Sequence, residues 1–419
     1  MSGLFSKKVL LFLLVIGLVC IGIPCGIVLA QEDVVRIGIV SPVSGNYADH
    51  GMLERMGMQM AVEEFNAKGG VLGKKVEMVI EDSETNPSVA ARKLRRLAEG
   101  EGIKFAMGGV SSSVAVAAGE VAEKYGVLFI ATNQNSDTVT GKYAKRCVFR
   151  VPPNMAMALR ALGPYIIEHV GKRWYFFTHD YEWGWSGTNW GRKVLKKYGG
   201  VEVGESKIPL GTRDFSSYIL KARAAKPDAV VITVGGLDRA ALIKQIYEFG
   251  LHRVTTIVHT LYDYEDAWAA AEANVGVHGI EWYWGINAPG VKEFVKKYQE
   301  RFPAAPIPVP TQDTVNGYIA MRELLRAMER AGTTEKVTPV IKALEGWTIP
   351  EGESLRNGPT YIREWDHQFV CSYYIVRSKK PEEMKGRADL CEVIGWKPGS
   401  EIARTREENP VELGPYPQD

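Results

Sequence analysis

From residue 34 to residue 132 the chain alternates between short apolar runs and longer amphipathic ones, and this alternation limits the fold more than any other feature. Residues 34–40 form an apolar run broken only by Arg36 and Gly38. A turn-rich stretch, 41–51, leads to residues 52–68, where Leu53, Met56, Met60 and Phe65 fall roughly on one side of a predicted helix that Gly69 and Gly70 stop. Residues 76–80 read as a strand and 88–98 as a helix, and 105–132 supply strand, helix and strand again. Strands alternating with helices in this way imply a parallel sheet covered on both faces.

The pattern restarts after Val151, Pro152 and Pro153. It predicts helices over 155–170, 187–198 and 214–226, strands over 174–178, 228–234 and 255–260, and an edge strand at 280–284. Asp238 is placed to cap a helix that runs to Phe249. A second α/β unit follows from this repeat. The last third is helical over 291–301, 313–330 and 338–345, with the Pro-rich stretch 303–310 as a connector. A chain of 419 residues, 46% of them hydrophobic, is long for one core and suggests about two domains. A net charge of +2 does not suit a dedicated nucleic-acid binder.

The first thirty residues are a separate object. Lys7 and Lys8 precede an apolar run, 9–28, and Ala30 meets the polar Gln31, Glu32 and Asp33. A positive start, an apolar middle and a small residue at a polar boundary describe a secretory signal over 1–30, cut near Ala30. An uncleaved anchor is the alternative, because the run approaches spanning length. Lipid attachment at Cys20 or Cys25 fits less well, since Val19 and Pro24 precede them. The mature chain is expected to be soluble and periplasmic. It keeps Cys147, Cys371 and Cys391, of which Cys371 and Cys391 are the favoured disulfide pair, with three buried thiols as the alternative. Their spacing does not suggest a zinc site, and no metal or cofactor is expected.

In an open parallel sheet the loops at the carboxyl ends of the strands form the ligand crevice. Ser111, Ser112 and Ser113 follow the strand at 105–109 and open the next helix, whose free N–H groups and dipole favour a negative group. One serine would serve as a cap; three leave donors to spare for a carboxylate. Thr132, Asn133 and Asn135 follow the next strand and face the same crevice, with ordinary turn chemistry as the alternative for all three. The loop 179–191 (HDYEWGWSGTNWG) crowds Tyr181, Trp183 and Trp185. Such aromatics cover a planar or apolar ligand, or pack beneath their loop as a small satellite core.

Catalytic templates are missing. The sequence has no Gly-x-Ser-x-Gly elbow, no His-Glu-x-x-His pair and no Gly-x-Gly-x-x-Gly after the first strand. No catalytic residue is assigned, and a secreted enzyme on an α/β scaffold ranks below a binding role.

The opening VVRIGIVSPVSGNYADHG, the stretch AVEEFNAKGGVLGKKVEMVIEDSETNPSVA, and the later GGVSSSVAVA, GVLFIAT, DYEWG and YIREWDHQ stand in an order and spacing that is specific. Together they resemble the leucine/isoleucine/valine-type substrate-binding proteins of ABC importers, over about residues 34–394. The resemblance implies the type I periplasmic binding protein fold: two doubly wound parallel-sheet lobes joined by a three-crossover hinge, near 150–153, 284–287 and 361–366. Lobe 1 would comprise 31–151 and 286–362, lobe 2 152–285 and 363–405, with 406–419 as a C-terminal tail. It also implies a monomer that traps one amino acid or small carboxylate between its lobes and delivers it to permease subunits driven by cytoplasmic ATPases. A ligand-sensing receptor of the same fold is the alternative.

The family's carboxylate-binding serines match Ser112, with Ser111 and Ser113 as neighbours in register, and Thr132 falls near its hydroxyl-bearing strand end. Trp183 falls where the family often has an aromatic before glycine, with Tyr181 beside it. The family's acidic residue for a ligand ammonium has no direct match. His259 or Thr260 occupies that position, Tyr262 and Asp263 follow, and Asp238 is a substitute cation contact or a helix cap.

Overall fold

The computed structural model describes residues 34–418, and the leader with Cys20 and Cys25 lies outside them. A first sheet is built from β1 (Val34–Ser41), β2 (Lys75–Asp82), β3 (Phe105–Met107), β4 (Leu128–Ala131) and β5 (Val148–Arg150). Its order is β2-β1-β3-β4-β5 and every pairing is parallel. Between the strands run α1 (Ala48–Asn66), α2 (Pro87–Gly100) and α3 (Ser112–Tyr125).

The chain then passes to a second sheet through α4 (Met155–His169). That part continues with β6 (Arg173–His179), α5 (Glu182–Tyr198), β7 (Val201–Ile208), α6 (Ser216–Ala224), β8 (Ala229–Thr233), α7 (Gly236–Glu248), β9 (Thr256–His259), α8 (Tyr264–Ala270) and β10 (Val277–Ile280). Strand β6 shows why this sheet is covered twice. Trp174 and Phe176 enter the core shared with α4, while Tyr175 and Phe177 enter the core shared with α6 and α7. After β10 the chain returns through α9 (Val291–Arg301), α10 (Gln312–Ala331) and α11 (Val337–Leu344). Helix α10 lies on α1, where Gly57 faces the backbone of Thr314 and Gly317 faces the backbone of Glu54. A side chain at either glycine would drive the two helices apart.

The strands β11 (Thr348–Ile349), β12 (Thr360–Ile362) and β13 (Phe369–Val370) form a small antiparallel sheet. The chain then crosses once more, to β14 (Tyr373–Ser378) and β15 (Cys391–Lys397), and ends beyond α12 (Gly399–Ile402). The buried guanidinium of Arg150 ties two passages together: its Nε donates to Gln368 Oε1 at 2.8 Å, and Gln368 Nε2 donates to the Pro152 carbonyl at 2.8 Å.

Four expectations need correction. The second sheet is not wholly parallel: in the order β15-β14-β10-β9-β8-β6-β7, strands β14 and β15 run antiparallel. Strand β10 spans Val277–Ile280 and lies inside that sheet between β9 and β14, so residues 280–284 are not an edge strand. Asp238 does not cap α7; Gly235 holds that position, and the Asp238 carboxylate instead accepts from His179 Nε2 at 3.1 Å and from the Gly211 N–H at 2.6 Å. Cys371 and Cys391 are free buried thiols, as is Cys147. Cys391 pairs in register with Ser378, seven residues along from Cys371. At ~3.3 Å per strand residue that is on the order of 20 Å, well beyond disulfide reach. The edge strand β7 had no counterpart in the sequence reading.

Candidate functional site

The carboxyl ends of strands from both sheets converge on one narrow cavity of about 20 Å³. Tyr47 and His50 follow β1, Val110 follows β3, and Asn133 and Asn135 follow β4. From the other sheet, Tyr181 and Trp183 follow β6, Leu261 and Asp263 follow β9, and Glu281 follows β10. Gln312 and Asp313 complete the wall from the first turn of α10. Side chains gather here because the ends of parallel strands are the open edge of a doubly wound sheet. The free space holds about one water-sized guest. A solute of several heavy atoms therefore enters only when the walls part.

The aromatic wall is built by the start of α5. The expected loop is already helical from Glu182, so Trp183 stands in the first turn rather than on a loop. Its indole N–H points to Met155 Sδ at 3.1 Å, which fixes the ring against α4. Tyr181 precedes the helix, and its hydroxyl meets that of Tyr47 at 2.9 Å. Gly235 lets both rings close in, since a Cβ there would lie 2.8 Å from Tyr47 Oη and 3.3 Å from Trp183 Cζ3. The same helix start holds the segment after β4. Glu182 Oε1 accepts from Thr138 Oγ1 at 2.8 Å, and Ser186 Oγ donates to Asp137 Oδ2 at 2.7 Å.

The acidic wall surrounds His50. Its Nδ1 lies 2.6 Å from Glu265 Oε1 and 2.9 Å from Asp313 Oδ2, and its Nε2 lies 3.3 Å from Asp266 Oδ1. Burial opposes a charge on this ring, but the acidic groups around it, Glu265 and Asp266 foremost, outweigh it and hold its pKa well above the ordinary histidine value. Burial and the neighbouring Glu265 charge push the Asp313 carboxyl far up, so within this tight pair Asp313 keeps the proton. Arg239 is fully buried behind them and pairs with Asp263 and with Asp266, the latter at 2.8 Å through Nε. Gln312 Nε2 also donates to Asp263, which leaves the buried Gln312 Oε1 without a partner.

The amide wall centres on two buried carboxyls. Glu281 accepts from Asn135, and from Asn316 Nδ2 at 2.7 Å. Burial raises its carboxyl to about 7 despite these donors. Glu54 accepts from the Gly109 N–H at 3.0 Å, Thr132 Oγ1 at 2.6 Å and Asn133 Nδ2 at 2.8 Å.

Of the residues expected from the sequence, Asn133, Asn135, Tyr181, Trp183 and Asp263 line the cavity. Ser111, Ser112 and Ser113 lie beside it, at the start of α3 after Val110. Ser111 stands at the cap position without a side-chain cap bond, Ser112 is buried with Oγ accepting from the Ser136 N–H at 3.0 Å, and Ser113 is half-buried. Thr132 gives its proton to Glu54. Asp238 faces His179 behind the cavity wall. Thr260 Oγ1 lies 3.0 Å from Thr233 Oγ1, and Tyr262 stacks on His278 at 4.3 Å between ring centroids. The sequence reading missed Tyr47, His50, Glu281, Gln312 and Asp313. The crevice rule could have found the first two, which follow the first strand. Glu281 was hidden by placing a strand over it, and Gln312 and Asp313 reach the site from a helix rather than a strand end.

A cavity between the carboxyl ends of two such sheets, with three chain passages between them, defines the two-lobed binding proteins of the type I periplasmic fold. The chain belongs to the periplasmic binding protein family, which it matches over residues 34–385. The Leu/Ile/Val-binding protein homolog 3 of Brucella melitensis is 25% identical over 323 residues, covering 74% of this chain and 83% of that protein. The Leu/Ile/Val-binding protein BraC3 of Rhizobium johnstonii is 26% identical over 339 residues, covering 77% and 86%. A crystal structure of a periplasmic binding protein from Burkholderia mallei superimposes with a TM-score of 0.83 at 27% identity, covering 91% of this chain and 99% of that one. The expected family and fold class are thus borne out. Among the described residues, no helix is long and apolar enough to cross a membrane.

Proposed function

We propose that this chain is the extracytoplasmic solute-binding component of an ABC importer. It binds one small polar solute, of the amino-acid, amide or small-carboxylate kind, without transforming it. One lobe comprises residues 31–151 and 286–362, the other 152–285 and 363–405. A cleaved leader places it in the periplasm as a monomer, where its closed form docks on permease subunits driven by cytoplasmic ATPases. The observation that carries this reading is that the cavity walls bond to each other across the cleft: Tyr47 to Tyr181, His50 to Asp266, and Asn135 to Glu281. A solute placed between such walls contacts both lobes only when they close, so it shifts the balance toward closure. The names of the relatives in Brucella and Rhizobium give a precedent for amino-acid cargo. The solute contacts are assigned to Asn133, Tyr181, Trp183 and Asp263, with the serines at the start of α3 next to them in the chain after Val110.

The test is binding and compaction together. Purified mature protein is screened by thermal shift and calorimetry against a panel of amino acids, amides, amines and small acids. A ligand found there should reduce the radius of gyration in X-ray scattering and leave the protein chemically unchanged. A panel in which nothing binds, or turnover of the bound compound, would overturn the reading.

A further inference from the structure

Three carboxyl side chains face the cavity, those of Asp263, Glu281 and Asp313, and no lysine or arginine is among the residues that line it. The wall behind is no better balanced. Around His50 and Arg239 stand Asp263, Glu265, Asp266 and Asp313, so two cationic side chains are set against four acidic ones, all buried. Arg239 is committed to Asp263 and Asp266, and the His50 ring has a carboxylate on each side. Buried carboxylates in excess need protons or a cation.

A second observation points the same way. Gln312 is 1% exposed and lines the cavity, and its carbonyl oxygen has no partner. Its amide nitrogen is held by Asp263, so the side chain cannot be turned round without setting oxygen against oxygen. This wall therefore carries a buried acceptor without a partner beside carboxylates, which asks for an N–H donor. The rings of Tyr47, Tyr181 and Trp183 line the same cavity, the last two 6.2 Å apart between centroids. Aromatic rings sharing a cavity with carboxylates suit a cationic nitrogen, attracted by both.

We infer that the solute is a net-positive organic cation, a protonated amine, amidine or guanidine without a balancing carboxylate, held between the aromatic wall and the Gln312–Asp313 wall. This rests on the solute-binding reading above and narrows it. Seating the cation displaces the proton on Asp313, which passes to solvent; no bond in the solute changes.

The experiment compares compounds that differ only in the α-carboxylate: putrescine with ornithine, and agmatine with arginine. Calorimetry at pH 7.5 should show at least one decarboxylated member binding at least tenfold more tightly than its amino acid. Repeating the titration in buffers of different ionisation enthalpy should show proton release. Asp313→Asn should weaken the cation at least tenfold. Gln312→Leu, which removes the unpartnered acceptor on the same wall, provides an independent second variant with the same expectation, should the first fold poorly. If the amino acid binds as well as its decarboxylated partner, or if only neutral or anionic solutes bind, the inference fails while the solute-binding reading stands. If nothing in the wider panel binds, both fail. Binding of Mn²⁺, Ca²⁺ or Zn²⁺ that is abolished by Asp313→Asn, with no binding of amines, would replace the organic cation by a metal ion and overturn the inference.

Discussion

The hydroxyls of Tyr47 and Tyr181 meet at 2.9 Å across the cleft, one from the segment before α1 and the other from the residue before α5. Burial holds both phenols above their ordinary pKa, so each keeps its proton and one donates to the other. In an opened cleft both would bond to water instead, so the pair stabilises closure rather than the fold of either sheet. Tyr181→Phe should cost closure about 1 kcal/mol, a loss of roughly fivefold in solute affinity. The urea midpoint of the ligand-free protein should stay where it is. Unchanged affinity in calorimetry would show that the pair does not hold the closed form.

Glu281 makes the protein's stability depend on pH. Its carboxyl rises from 4.5 to about 7 on folding, chiefly through burial. Between those values the folded chain binds more protons at this site than the unfolded chain, so stability falls as pH rises through the window and levels off above it. The loss amounts to roughly 3 kcal/mol. Asp313 contributes with the same sign, since its carboxyl is also raised. Glu265 acts in the opposite sense and in a different window: burial would raise it, but His50 pulls it down to about 2, so its contribution disappears only as the solution is acidified below 4.5. His179, His259, His278 and His367, whose pKa values burial lowers, act in the opposite sense below 6.5, so the comparison between two chains isolates Glu281: in urea titrations at pH 4.5, 5.5, 6.5 and 7.5 the stability of the native chain relative to Glu281→Gln should fall as pH rises. Parallel slopes would refute the assignment.

How far the sequence could be read follows from what each feature needs. The first sheet is legible because its apolar runs and helix stops are local: the run around Ile37 and Ile39 and the Gly69-Gly70 stop are each set by a few adjacent residues. Strand β7 is not legible, because as an edge strand it is mostly solvated and VEVGESKI has little apolar content. Trp183 was found from its crowded aromatic neighbours, although its helix begins five residues before the predicted start. The acidic wall was out of reach for another reason. His50, Glu265 and Asp313 lie more than 200 residues apart at the extremes, and only packing of α1 against α10 and α8 brings them to within 3 Å. Thr132 shows the converse: its strand-end position was read correctly, but its proton goes to Glu54, which nothing in the local sequence announces.

The α1–α10 contact should be intolerant of any side chain at its two glycines. A Cβ on Gly317 would meet the backbone of Glu54, and a Cβ on Gly57 would meet the backbone of Thr314. Neither obstacle is a flexible side-chain tip. Gly317→Ala should therefore destabilise by about 1–3 kcal/mol, the usual cost of overpacking. It should also shift Glu54, whose carboxylate holds Thr132 and Asn133 in place at the cavity. Urea denaturation reads the first effect and solute affinity the second. A variant with native stability would mean that the helices can separate freely.

The C-terminal tail is a fourth link between the two halves and should act as a strap. Helix α12 packs on α4, where Arg160 Nη1 donates to the Ala403 carbonyl at 3.0 Å. The chain then crosses the segments that join the sheets. Arg404 Nη2 donates to the Asp137 carbonyl at 3.1 Å, and Asn409 Nδ2 donates to Asp366 Oδ2 at 3.0 Å and to the Thr140 carbonyl at 2.9 Å. It ends on the first half, where the Arg146 N–H donates to the Leu413 carbonyl at 2.9 Å and Tyr416 Oη to Glu345 Oε2 at 2.7 Å. Deleting 404–419 would take the Asn409 donor from the buried Asp366, which keeps Arg363 and the Gln368 N–H, at a cost of about 1 kcal/mol for one hydrogen bond. Amide exchange should accelerate at 137–151 and 366–370, where the strap bears on the passages between the sheets. Deleting only 410–419 keeps Arg404 and Asn409, and should accelerate exchange near Arg146 and Glu345 while leaving 366–370 protected. If the longer deletion leaves exchange at 366–370 unchanged, the tail carries no load between the halves.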